Sequence, residues 1–221
     1  MNGPATATPS TGSFYRARIA SVLAIAPLGV WTVMHLWDNL SAFDGAEAWE
    51  RRVTSGSHPL HQWVLAILVL LPLLLPLLLH TLWGIARMAS SRPNNVRYGY
   101  YDNLKYLLQR LSALGLLAFI GAHLWLAWIH PRFVEGHPEP FSDIAHEMHH
   151  HGPTLAVYVL GVLAVAYHLA NGLQTFAMGQ GVVASAAGLK RLEWLVYLVF
   201  VLLLALGWGS IYALWSAGAS L

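Results

Sequence analysis

Apolar residues along this chain gather into five long blocks, roughly Ile19–Trp37, Trp63–Ala86, Leu111–Ile129, Thr154–Met178 and Trp194–Trp215. None alternates with the period of two expected of a half-buried strand, so each reads as a helix. About 20 residues at a rise of 1.5 Å cross the ~30 Å hydrocarbon layer of a bilayer, and only helices or closed barrels can do so. The pattern therefore predicts an all-α integral membrane protein with five transmembrane helices. Trp31, Trp37, Trp63, Trp83, Trp125, Trp128, Trp194 and Trp215 fall mostly near block ends, where interfacial aromatics sit. Pro27, Pro72 and Pro76 lie inside blocks, which lipid-embedded helices tolerate. Residues 1–13 are uncharged and rich in Pro, Thr, Ser and Gly, without the basic start of a secretory signal. They are expected to form a disordered tail ahead of one membrane domain, residues 14–221.

Composition agrees with this. The chain is 57% hydrophobic and 10% charged, against roughly 25% charged in a soluble domain. Nine of the twelve basic residues flank one side of the blocks, among them Arg16, Arg18, Arg87, Arg110 and Lys190. Eight of the ten acids lie on the other. The bias of Lys and Arg toward the cytoplasm places the N-terminus there and the C-terminus outside. A net charge of +2 is too small to imply nucleic acid. The lack of cysteine removes disulfides, iron–sulfur ligation and covalent c-type haem together. No dinucleotide fingerprint or P-loop is present.

What remains is histidine. Four blocks each carry one inside: His35, His80, His123 and His168. An ionisable residue at such depth is a functional-site candidate. His35 lies three residues before Asp38 and His123 seven before His130, both toward the outer side. His80 lies seven before Arg87, and His168 is fifteen past Pro153 on an inward block. Depth thus sorts them into an outer pair, His35 with His123, and an inner pair, His80 with His168. An internal echo supports the sorting: HLW recurs at His35 and His123, and HxxxG at His80–Gly84 and His168–Gly172. Around His168 the face with Gly161, Ala164, Val165, Asn171 and Gly172 is mostly small, a groove that a flat macrocycle edge would need, although close helix packing also uses such residues. A single buried histidine is ordinarily a neutral imidazole with a hydrogen-bond partner. Four at two matched depths point to bis-histidine ligation of two b-type haems in a four-helix bundle, with a fifth helix beside it.

Four motifs in order then resemble a family: FYRARIASVLAIAPLGVWTVMHL, LPLLLHTLWGI followed by PNNVRYGYYDN, LLQRLSALGLLAFIGAHLW, and YHLANGLQTF. The chain is similar, from about Phe14 to Arg191, to the five-helix di-haem cytochrome b anchors of succinate:menaquinone oxidoreductases and fumarate reductases. The resemblance implies that His35, His80, His123 and His168 are haem ligands paired as above. It also implies a flavoprotein and an iron–sulfur subunit on the cytoplasmic side, with electrons passing to menaquinone from a bacterial succinate dehydrogenase. Candidate propionate contacts are Arg18, Ser21, Arg87, Arg110 and Ser112, each also explicable as interfacial anchoring. Candidate quinone contacts at the outer end are Asp38, Asn39, His58, His61 and Gln62. The connection Ser90–Lys105, with Asn94, Asn95, Tyr98, Tyr100 and Tyr101, is expected to dock the iron–sulfur subunit, unless it is an ordinary helix start capped by Asp102 or Asn103. The Ala164–Asn171 stretch has no carboxylate, so the helix glutamate that some members use as a proton conduit is missing. The outer loop His137–His151 is rich in histidine and acid; His146, His149 and His150 have a spacing that could take a divalent metal, although such clusters are more often solvated. The alternatives are a cytochrome b subunit of a formate dehydrogenase or hydrogenase, or a non-redox membrane protein with structural histidines.

Overall fold

A computed structural model describes residues 11–54, 62–90 and 99–221 of the chain. It is helical throughout, without a strand among those residues: α1 (Thr11–Leu23), α2 (Val30–Asn39), α3 (Ala46–Trp49), α4 (Gln62–Ser90), α5 (Tyr101–Leu124), α6 (Phe141–His150), α7 (Gly152–Gly179) and α8 (Ala186–Gly218). A wider, π-type turn at Ala24–Gly29 joins α1 to α2 and contains Pro27. The imino nitrogen has no proton to donate there, so the ladder loosens at that point instead of breaking. A similar turn, Trp125–Ile129, extends α5. Among the described residues, five stretches are long and apolar enough to cross a membrane: Arg18–Asp44, Leu71–Ser90, Tyr101–Glu135, Gly152–Gly179 and Ala186–Gly218.

The exterior is apolar, as lipid requires. Leu74, Leu78, Leu82, Leu117, Leu160 and Leu202 are among many large hydrophobic residues left exposed on these stretches. The interior is tight and small. α7 packs on α5 and α8, with Ala166, Ala170 and Ala177 buried along it.

The two ends of the bundle differ. At one, the α6 end, a core forms from Ala42, Trp49, Phe141, Ala145, Met148 and Tyr158 with their neighbours. At the other, the Gln180 end, Arg18 on α1 donates to the backbone carbonyls of Gly179 and Gln180 at 3.3 and 3.0 Å. Gln180 in return donates through Nε2 to the Ser21 hydroxyl at 2.9 Å and the Arg18 carbonyl at 3.1 Å.

Three expectations need correction. Helix α5 is capped by Tyr100 in extended conformation, not by Asp102 or Asn103; Asp102 lies inside the first turn and pairs with Lys105 at 3.0 Å. Most of the outer loop is helix α6, because Phe141, Ile144, Ala145 and Met148 recur at helical spacing and are buried. The small face around Gly161 is filled at that residue by the Phe119 ring, since a Cβ there would fall 2.6 Å from Phe119 Cε2.

Candidate functional site

The helices bring the four block histidines together two by two. His35 from α2 and His123 from α5 have ring centres 5.9 Å apart, at 64° to one another. His80 from α4 and His168 from α7 have centres 6.0 Å apart, at 77°. The first pair lies toward the α6 end and the second toward the Gln180 end. All four line one cavity of about 390 Å³ whose other walls include Leu28, Leu73, Leu116 and Gly172. A metal held between two imidazoles by bonds of about 2 Å puts their ring centres about 6 Å apart. The donor set fits haem iron: two imidazole pairs, each facing an apolar space.

The rings are fixed from outside the pairs. Trp31 stacks on His35, centres 4.6 Å apart, and Phe119 stacks on His123 at 5.5 Å. Nδ1 of His123 lies 3.1 Å from the Tyr158 hydroxyl. Nδ1 of His168 lies 3.2 Å from Gln109 Nε2 and 3.5 Å from Ser112 Oγ. The Tyr158 hydroxyl can accept from His123 Nδ1–H and the Ser112 hydroxyl from His168 Nδ1–H, which leaves Nε2 for a ligand; the Gln109 amide nitrogen is a donor and holds the His168 carbonyl at 3.2 Å. The support is crossed: α7 holds the α5 histidine through Tyr158, and α5 holds the α7 histidine through Gln109.

Across 201 residues the chain is 28% identical to the succinate dehydrogenase cytochrome b558 subunit of Bacillus subtilis (strain 168), covering 90% of this chain and 96% of that subunit. The chain is homologous to that subunit. The likeness expected from the four motifs thus extends over nearly the whole length. No protein-family model matches the chain, and no solved structure does.

With this homologue of a cytochrome b subunit in hand, the remaining candidate residues divide. Ser21 and Asn39 line the histidine cavity. Asn39 is also a structural tie. Its Nδ2 donates to the His35 carbonyl at 2.8 Å and sits 3.4 Å from His35 Nε2, while its Oδ1 accepts from Trp49 Nε1 at 3.1 Å. Ser112 is buried and donates to the Gln109 carbonyl at 2.9 Å. The Arg18 guanidinium caps the end of α7, and Arg110 stacks over Tyr106 with its guanidinium carbon 4.3 Å from the ring centre. Arg87 is exposed, and Asp38 is half-buried outside the cavity wall. His58 and His61 lie outside the described residues, as do Asn94, Asn95 and Tyr98, and the Gln62 side chain is likewise not described. Tyr100 is exposed, whereas the Tyr101 hydroxyl meets that of Tyr197 at 2.7 Å.

Sequence reasoning missed Tyr158, Gln109 and a second cavity. That cavity, of about 360 Å³, opens at the α6 end and is lined by His130, Glu135, Glu139, Asp143, His146 and Glu147 with Thr154 and Tyr158. Burial, then the neighbouring Asp143 and Glu135, push the half-buried Glu139 carboxyl up to about 7, with His137 opposing and Glu147 adding to the shift. His149 stacks on Trp215, and the His146 and His150 ring centres lie 4.6 Å apart, the rings tilted at 41°. Among the described residues no cluster of His, Asp and Glu is arranged to hold a metal ion.

Proposed function

We propose that this chain is the di-haem cytochrome b membrane anchor of a succinate dehydrogenase in a bacterial cytoplasmic membrane. The observation that carries the proposal is the pair of imidazole pairs, 5.9 and 6.0 Å between ring centres, facing one apolar cavity. The cytochrome b558 homologue along 90% of the chain supports it. His80 and His168 hold one haem b, and His35 and His123 the other. When bound, the two haems carry electrons from a partner iron–sulfur subunit to menaquinone, while a flavoprotein partner does the succinate chemistry.

What the chain itself does is hold ligands on rigid helices, exclude water and set the environment of each pair. The clustering of basic residues puts the N-terminus and the Gln180 end in the cytoplasm and the α6 end outside. His80 and His168 then face the partner subunits, and His35 and His123 the far side. Tyr100 and its exposed neighbours at the start of α5 form the docking edge for the iron–sulfur subunit. Asn39, with Asp38, His58, His61 and Gln62 near the outer end, supplies the candidate quinone contacts. Ser21 and Ser112, with Arg18, Arg87 and Arg110, supply those for the propionates.

The test is a pyridine haemochrome assay on the complex purified with its partners, together with reduction of a menaquinone analogue. About two b haems per chain and succinate-dependent reduction are expected. Absence of b-type haem, or activity with formate or hydrogen in place of succinate, overturns the proposal.

A further inference from the structure

Tyr158 and Gly161 stand one turn apart on the same face of α7, and both act on His123 across the α5–α7 contact. Tyr158 is only 9% exposed. A buried hydroxyl requires a partner, and this one lies 3.1 Å from His123 Nδ1. The Tyr158 ring also stands edge-on to His123, with centres 5.6 Å apart at 80°. Phe119 completes the enclosure, stacked on His123 at 21° and edge-on to Tyr158 at 84°. Phe119 occupies that place because Gly161 has no side chain, for a Cβ would come within 2.6 Å of its Cε2. A phenylalanine at 158 would fill the same apolar space, so packing alone does not call for the hydroxyl. Among the described residues, Tyr158 is also the one that lines both cavities, standing between His123 and the acidic chamber.

We propose that Tyr158 and Gly161 are positioning residues that seat His123 and thereby set the redox potential of the outer haem separately from the inner one. The proposal rests on the di-haem reading above. With Nε2 toward the metal, His123 donates its Nδ1–H to the Tyr158 oxygen. An acceptor there makes an imidazole more electron-donating and favours the oxidised metal. Removing it raises the potential. The inner pair, whose His168 Nδ1 faces Gln109 and Ser112, serves as the internal control.

The experiment is a potentiometric titration of the purified complex, wild type beside Tyr158→Phe and Gly161→Ala, with low-temperature EPR of the oxidised haems. Tyr158→Phe is expected to favour reduction of the outer haem by about tenfold, a rise of about 59 mV for a one-electron couple, and to shift the outer EPR signal. The inner haem keeps its potential and signal. Gly161→Ala, which displaces Phe119, is expected to change the same EPR signal alone. Loss of the outer haem with the inner retained also supports the seat. Two unmoved potentials, or equal shifts in both, overturn it while leaving the di-haem reading intact. If Tyr158→Phe does not assemble, Gly161→Ala decides by the same criterion. A wild-type complex without two b haems overturns the underlying reading and the seat with it.

Discussion

Gly218, the last residue of α8, determines how closely helix α6 can lie on the bundle. A Cβ added there would sit 2.7 Å from His149 Cβ and 2.8 Å from the Ala145 carbonyl carbon. The obstacle is largely backbone, which cannot rotate aside as a side-chain tip can, so α6 must lift. Gly218 lies within a regular helix and is not among the glycines with positive φ. Gly218→Ala therefore tests close approach without forcing a side chain into a positive-φ conformation. Overpacking of a well-filled contact costs about 1–3 kcal/mol. Ala145 and Met148, both 0% exposed on the inner face of α6, leave nowhere for the strain to dissipate. At about 1.4 kcal/mol per factor of ten, local opening of α6 becomes roughly 5- to 150-fold more frequent. Hydrogen exchange on the complex in nanodiscs measures this directly. Amides of α6 should exchange faster by that factor, and those around Arg18 and Ser21 at the opposite end should not change. Unaltered exchange in α6, or acceleration throughout the chain, would refute the reasoning.

Glu139 predicts a pH dependence. Its carboxyl, raised from 4.5 to about 7, stays protonated in the fold where the unfolded chain has released its proton, so stability at the α6 end falls as pH rises through that window and levels off above it. Thermal midpoints at pH 5 and pH 8 should differ less in Glu139→Gln than in wild type, and equal differences would contradict the assignment. At the other end, Gln180→Leu removes hydrogen bonds to the Ser21 hydroxyl and the Arg18 carbonyl, each worth about 1 kcal/mol. Proteolysis or exchange near the start of α1 should accelerate by about an order of magnitude or more; an unchanged rate would show that α1 is held by other contacts.

The transmembrane architecture was legible because lipid offers no partner to a bare peptide group, so each apolar block had to be a helix. Which histidines meet was legible too: counting residues from Asp38, His130, Arg87 and Pro153 groups the same histidines whose rings lie side by side in the structure. Rotation about each helix axis was not. Block boundaries carry no azimuth, and that azimuth decides whether Tyr158 meets His123 or lipid, and whether Gln109 reaches His168. It also decides that Gly161 receives an aromatic ring where an open groove was expected. Helix α6 was hidden for another reason. Its apolar positions Phe141, Ile144, Ala145 and Met148 were present in the sequence, but the histidine and acid between them gave the stretch the composition of a solvated outer loop. Asn39 shows the limit of residue type alone, since a polar side chain beside a histidine served for backbone and Trp49 contacts as much as for the cavity.

The central claim is that the two imidazole pairs hold two separate haems. Redox titration of purified complexes carrying His80→Ala or His35→Ala tests it most directly. Each variant should lose one b haem and keep the other, and the haem lost should have a different midpoint potential in the two cases. Loss of the same component in both, or retention of two haems in either, would contradict the account.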